Sequence, residues 1–93
     1  MNQNTANFLN FGALSGIDYA QKQFPDVDFI RNVTILAPSG NLSPVYLGGS
    51  GLTTVTGSQL LQGMGITLSV DNTKYLYAIS PSGYTNVLTY IGN

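Results

Sequence analysis

The sequence of 93 residues has the length of one small domain, in which only about 60–65% of the unfolded chain's surface can be buried. Charged residues make up 8% of it, against about 25% in typical globular proteins, and the net charge of -1 argues against sequence-independent binding to nucleic acid. Cysteine, histidine and glutamate do not occur, which excludes disulfide bonds and zinc sites built from thiolate or imidazole ligands.

Residues 1–31 are predicted to form an N-terminal arm, because five of the seven charged residues and all four phenylalanines lie there. Residues spaced i, i+3, i+4 and i+7 from Ile17 would form one stripe of a short helix over Ser15 to Phe24, and Pro25 would end it. A helix of under about three turns is marginal alone. Its stripe is therefore expected to dock either on the rest of the chain or on a neighbouring subunit.

Residues 32–93 are predicted to form a β-domain, because short runs of alternating apolar and polar residues are separated by turn-forming residues. Strands are expected at 32–37, 44–47, 65–70, 74–80 and 86–91. The fold class is therefore all-β, a small antiparallel β-sandwich or barrel of about five to seven strands, with an N-terminal arm that carries a short helix.

The last two predicted strands are apolar on both faces. In one, Leu76 and Ala78 oppose Tyr75, Tyr77 and Ile79; in the other, Val87 and Ile91 oppose Leu88 and Tyr90. The outer face of a single small sandwich is normally polar and exposed to solvent. The arm or a second copy of the chain is therefore expected to cover the apolar outer face of these strands. Self-association would also supply burial that a small fold lacks.

A glycine-rich turn, Leu47-Gly48-Gly49-Ser50-Gly51, follows the second predicted strand. Successive backbone N–H groups in such a turn can bind anions. The sequence lacks the Gly-Lys-Ser/Thr of a P-loop and the early downstream acid of a dinucleotide fingerprint. We therefore expect the glycines to supply positive φ and close backbone approach, and the threonines after them to satisfy backbone groups locally.

The remaining polar residues give weak indications of chemistry. A dyad of Lys74 with Ser69 or Ser80 is disfavoured, since a lysine in a polar turn should be protonated. Asp26 and Asp28 could ligate calcium weakly, although such a pair is far more often part of a solvated loop. No catalytic, cofactor-binding or metal site is expected, and the chain is predicted not to be an enzyme. Several tyrosines could stack on sugars or bases, or simply pack in the sheets: Tyr46, Tyr75, Tyr77, Tyr84 and Tyr90.

Two strings of residues in the β-domain carry a family resemblance. They are Pro44-Val45-Tyr46-Leu47-Gly48-Gly49-Ser50, with Thr53-Thr54, Gly57 and Leu60 after it, and Leu76-Tyr77-Ala78-Ile79. With them, the chain from Val33 to Ile91 resembles a small β-domain of structural proteins in tailed bacteriophages. Such domains occur in capsid decoration or minor capsid proteins, in head fibres and in some tail proteins. The resemblance implies a virion protein that is made in the host cytoplasm, and it does not cover the first 30 residues.

The first functional hypothesis is a non-enzymatic capsid decoration (cement) protein that binds and stabilises the phage head. The expected partner is the major capsid protein, the expected state a homo-oligomer such as a trimer, and neither nucleic acid nor a membrane is expected to bind. Removing a charge-poor surface from water costs little free energy, and the binding energies of repeated weak contacts add up on a capsid lattice. The contact residues are expected to be Phe8, Leu9, Phe11, Ile17 and Phe24 in the arm, with Tyr75, Tyr77 and Tyr90 in the β-domain.

Two other functions stay open. One is a host-binding module of a phage head fibre or tail, with the tyrosines as a sugar platform. The other is an isolated ligand-binding β-domain from a cell.

Overall fold

The computed structural model describes residues 10–29 and 32–92, in which eight strands form two antiparallel sheets. The strands are β1 Asn10–Ile17, β2 Lys22–Gln23, β3 Val33–Leu36, β4 Val45–Gly48, β5 Ser58–Leu60, β6 Gly65–Leu68, β7 Tyr77–Ile79 and β8 Asn86–Gly92. Sheet A has the order β1-β8-β3-β6 and sheet B the order β2-β7-β4-β5. The prediction of a small, all-β, antiparallel sandwich is confirmed. The described residues include no helix that is both long and apolar enough to span a membrane.

The centre of sheet A shows why these residues form strands. In β3, Val33 and Ile35 are buried while Leu36 is exposed, as the alternation of the sequence predicts. Ile35 lies opposite Ile66 of β6 on one side and Tyr90 of β8 on the other. Cross-strand apolar pairs of this kind stabilise a sheet on its core side.

The helix predicted over Ser15 to Phe24 is wrong. Ile17 ends β1 and lies opposite Asn86 in sheet A, whereas Phe24 follows β2 in sheet B. Gly16, at φ 67°, accompanies a register shift that bends the end of β1. Ile17 and Phe24, the two ends of the predicted stripe, are thus both buried but lie against different sheets. The segment between them carries the chain from sheet A to sheet B.

Residues 10–29 are strands and core in this fold rather than a separate arm. β1 pairs with β8 and β2 with β7, so the segment contributes an edge strand to each sheet. Phe24 and Phe29 are buried and both pack against the ring of Tyr90, with centroids 6.0 Å and 6.3 Å from its own. Both contacts are edge-to-face, an arrangement that aromatic pairs prefer.

The strand predicted over 74–80 starts later than expected. Thr73–Tyr75 forms a 3-10 turn, whose N-terminus is capped by the side chain of Asn72, and β7 begins at Tyr77. The buried Thr73 donates its hydroxyl to the Pro25 carbonyl oxygen, 2.5 Å away. The turn therefore anchors the chain that leads out of β2.

Candidate functional site

The glycine-rich turn is occupied by a side chain of the protein itself. Gln21 accepts hydrogen bonds at its Oε1 atom from the backbone N–H groups of Gly51, at 2.9 Å, and Leu52, at 3.2 Å. These two groups would have to face the ligand in an anion cradle, and a neutral amide oxygen already fills that role. The turn is closed internally and offers no phosphate site at these two donors.

Two further features of this turn match the structural role predicted for it. Gly51 has φ 83°, and a Cβ atom at Gly57 would lie 2.8 Å from the Cβ atom of Tyr46. The Thr53 hydroxyl accepts from the N–H groups of Val55 and Thr56, each at 3.2 Å. Glycine is therefore needed here for backbone conformation and close packing, while the threonines satisfy the loop backbone.

The carboxylates of Asp26 and Asp28 share one amide donor. The Nδ2 atom of Asn72 lies 2.6 Å from Asp26 Oδ1 and 2.8 Å from Asp28 Oδ1. Within the ranges that the structure describes, no group of three residues of the metal-ligating types comes together. The two carboxylates act here as acceptors that hold the turn after β6 against the segment after β2.

A buried polar network joins the two sheets at one end of the sandwich. The Nδ2 atom of Asn86, at the start of β8, donates to the hydroxyls of Ser43, at 2.7 Å, and Ser80, at 2.9 Å. Its Oδ1 atom accepts from the Leu42 N–H at 2.9 Å, and the Ser80 hydroxyl donates to the Ile17 carbonyl oxygen at 2.9 Å. Both amide hydrogens of Asn86 and its carbonyl oxygen thus have partners, so the network fixes the chain segments that meet at this end.

The predicted contact residues are spread over the core and the surface. Ile17, Phe24 and Tyr90 are buried inside the chain's own sandwich, so their side chains are not part of its surface. Phe11 is 76% exposed and Tyr75 59% exposed, whereas Tyr77 is half-buried. Phe8 and Leu9 lie outside the described residues.

The outer face of sheet A brings several exposed apolar side chains together. Registers place Phe11, Ile91, Thr34 and Thr67 side by side in one row across the four strands, and Ala13, Thr89, Leu36 and Gly65 in the next. None of these residues is charged. A shallow depression of about 340 Å³ lies on this face, lined mainly by apolar side chains. We call these two rows the outer face.

The hydroxyls of this face are partly satisfied within it. Thr34 and Thr67 lie opposite each other, with their Oγ1 atoms 2.9 Å apart in a hydrogen bond. Thr89 donates weakly to the Leu36 carbonyl oxygen, 3.5 Å away. Polar groups that already have partners cost less to remove from water, so this face is easier to bury than a charged one.

Sequence reasoning predicted only part of this surface. The alternation in β3 separated Leu36 from the buried Val33 and Ile35, and the pattern of residues 86–91 separated Ile91 from Leu88 and Tyr90. The pattern did not show which of those two faces is the core, and the predicted contact was Tyr90, which is buried, rather than Ile91, which is exposed. The contact of Phe11 with Ile91 follows from the pairing of β1 with β8, and no strand was predicted over residues 10–14. Tyr19, which is 61% exposed, was not singled out, because no local pattern marks it.

Comparisons with known proteins supply no relative for this chain: the sequence matches no protein-family model, no curated protein and no solved structure.

Proposed function

We propose that the chain is a non-enzymatic structural protein of a tailed-bacteriophage virion, a decoration protein that binds the capsid through the outer face of sheet A. The observation that carries the proposal is the uncharged character of that face, with Phe11, Leu36 and Ile91 exposed on it. The resemblance of residues 33–91 to phage structural domains supports the same assignment.

The energetics of this face favour repeated rather than single contacts. Fully burying a large apolar side chain contributes about 1.5–3 kcal/mol. Phe11, Leu36 and Ile91 are 76%, 44% and 46% exposed, so about half of that gain is left for a partner, or roughly 3 kcal/mol in all. One copy would bind no tighter than about the millimolar range, before the cost of association is counted.

Weak individual contacts suit a protein that is displayed in many copies. A homo-oligomer that engages several lattice sites at once gains effective concentration without any new contact. The proposed partner is the major capsid protein, and the proposed state is a symmetric oligomer such as a trimer. Localisation on the capsid surface follows from this proposal.

The test is binding of the purified protein to emptied capsids of the same virus from which the protein has been stripped. We expect the protein to co-sediment with capsids and to appear on the shell by electron microscopy. The substitution Ile91→Asp should weaken binding by about tenfold or more, because it places a charge in the interface. Val55→Asp is the matched control, since Val55 is 90% exposed in the loop before β5, away from the outer face.

Two results would overturn the proposal. One is a wild-type protein that stays monomeric and does not bind capsids at all. The other is capsid binding that Ile91→Asp leaves unchanged, which would reject the outer face as the contact surface.

A second candidate function is a host-binding module of a head fibre or tail. The observation that favours it is a groove with two exposed tyrosines at the end of the sandwich, Tyr19 and Tyr84, which is away from the outer face. Particles that carry the protein on a fibre or tail, rather than on the shell, would support this candidate.

A further inference from the structure

A groove of about 540 Å³ lies where the β1–β2 connection meets the β7–β8 connection. Its lining residues are Asp18, Tyr19 and Ala20 from the first connection and Gly83, Tyr84 and Thr85 from the second. We call it the tyrosine groove, because Tyr19 is 61% exposed and Tyr84 44% exposed. The groove is wide open to solvent, so a ligand would lie across it rather than be enclosed.

The backbone beneath the groove is held by buried hydrogen bonds. Ser80, fully buried, donates its N–H to the Asp18 carbonyl oxygen at 2.8 Å and its hydroxyl to that of Ile17 at 2.9 Å. Asn86 in turn donates to the Ser80 hydroxyl. The two connections are thus joined to each other and to the core, so the backbone positions of the groove do not depend on a ligand.

Each wall of the groove also has its own local turn. The Asp18 Oδ1 atom accepts from the N–H of Ala20 at 3.0 Å, and the N–H of Tyr84 donates to the Pro81 carbonyl oxygen at 3.2 Å. Within residues 10–29 and 32–92, the other carboxylate oxygen of Asp18 accepts no hydrogen bond. The exposed carboxylate of Asp18, the hydroxyl of Thr85 and two tyrosine side chains therefore share one groove.

We infer that the tyrosine groove binds a neutral saccharide. A pyranose ring offers C–H groups on its face and hydroxyls on its rim, and it needs an aromatic surface together with hydrogen-bond acceptors. Tyrosine supplies a rigid, amphipathic surface at low entropic cost, since its side chain has only two rotatable bonds. The Asp18 oxygen that is not bonded to the Ala20 N–H can accept from a sugar hydroxyl, and charge-assisted bonds of this kind are the stronger ones.

The charge of the groove selects against other ligands. Among the residues that the structure describes, no lysine or arginine lines the groove, and Asp18 places a negative charge in it. Sialic acids, uronic acids and nucleic-acid phosphates would meet this carboxylate without a compensating cation, which costs binding energy. The groove therefore favours uncharged hexoses or N-acetylhexosamines.

The tyrosine groove and the outer face lie toward opposite ends of β1. Phe11 is near the start of the strand and Ile17 at its end, a separation of about 20 Å at about 3.3 Å per residue, and Tyr19 lies beyond Ile17. A protein bound to a lattice through Phe11 can thus leave Tyr19 and Tyr84 in solvent. Saccharide binding does not depend on the proposed capsid role, and each can fail without the other.

The experiment is a titration of the isotope-labelled protein, followed by amide chemical shifts, with four separate probes. Three are neutral, methyl α-glucoside, methyl β-galactoside and N-acetylglucosamine, and the fourth is the anionic N-acetylneuraminic acid. We expect at least one neutral probe to shift the amides of Ala20 and Gly83 with a Kd in the millimolar range, and the anionic probe to bind about tenfold more weakly or not at all.

Variants locate the binding. Tyr84→Ala should raise the Kd for the neutral sugar by about tenfold, while Tyr84→Phe should retain most of the affinity because it keeps the aromatic ring. Tyr75→Ala is the matched control, since Tyr75 is also exposed but lies in the 3-10 turn outside the groove. Amide spectra of each free variant establish that it is folded.

Three outcomes would overturn the inference. They are the absence of shifts with every neutral probe up to about 50 mM, shifts that Tyr84→Ala leaves unchanged, and tighter binding of the anionic sugar than of the neutral ones. Loss of binding in Tyr75→Ala together with retention in Tyr84→Ala would place the sugar elsewhere and would equally reject the groove.

Discussion

The buried network around Asn86 gives the sharpest prediction for stability. Asn86 is 4% exposed, and its side chain makes three hydrogen bonds, to the hydroxyls of Ser43 and Ser80 and to the Leu42 N–H. The substitution Asn86→Leu keeps a similar volume but removes all three. At about 1 kcal/mol of net stability per bond, the expected loss is about 3 kcal/mol.

The structure also indicates which groups lose hydrogen bonds in Asn86→Leu. The hydroxyls of Ser43 and Ser80 still donate to the carbonyl oxygens of Pro44 and Ile17, so each loses only an accepted bond. The Leu42 N–H loses its acceptor outright. Leu42 is 70% exposed and this bond is only partly buried, so water can replace the acceptor, and the two buried bonds to Ser43 and Ser80 carry most of the estimate.

Urea unfolding followed by circular dichroism measures the effect. With an m value of about 1–1.5 kcal/mol/M, a loss of about 3 kcal/mol lowers the midpoint by about 2–3 M. All variants are compared at one protein concentration, so that any self-association contributes equally. Asn32→Leu is the matched control, because it makes the same chemical change at an exposed position and should shift stability by less than about 0.5 kcal/mol. Equal midpoints for Asn86→Leu and Asn32→Leu would refute the reasoning.

Two further predictions concern packing. Gly57→Ala should destabilise the protein by about 1–3 kcal/mol in the same urea assay, because the new methyl group overlaps neighbouring side chains. The control Gly49→Ala should cost less than about 1 kcal/mol, because no heavy atom lies within 4 Å of the Cβ atom it adds. Equal losses of stability in the two variants would contradict the close packing at Gly57. Phe24→Ala should cost about 3–5 kcal/mol, because that ring is 2% exposed, while Phe11→Ala should cost less than about 1 kcal/mol and act on lattice binding instead. A large loss of stability in Phe11→Ala would show that this ring is packed rather than exposed.

Much of the sandwich was readable from local pattern. Alternating apolar residues predicted β3, β6 and β8 close to their observed bounds, because a strand alternates its side chains with a period of two residues whatever its partners are. Turn residues predicted the reversals at 38–41 and 81–83, which hydrogen bonds from Asn41 N–H to Pro38 O and from Tyr84 N–H to Pro81 O now close. In the glycine turn, the predicted positive φ is found at Gly51 and the predicted close approach at Gly48 and Gly57, whereas Gly49 shows neither.

The candidate sites were harder to predict from the sequence, because they depend on which strands become neighbours. The spacing from Ile17 to Phe24 fits a helix as well as it fits two strands in different sheets, and the pairing of β1 with β8 decides between them. That pairing also places Phe11 beside Ile91 and turns a predicted arm into a sheet edge.

Composition and period by themselves determined the class of this protein: a charge-poor antiparallel β-domain with structural glycines in its main turn. The tertiary structure alone decided which residues reach the surface together. Ser80 bonds to Ile17 across 63 residues, and through that contact Tyr19 and Tyr84 come to line one groove. The physical reason is that alternation is encoded within each strand, whereas contacts between distant segments follow from the joint packing of both sheets, which no single stretch of sequence encodes.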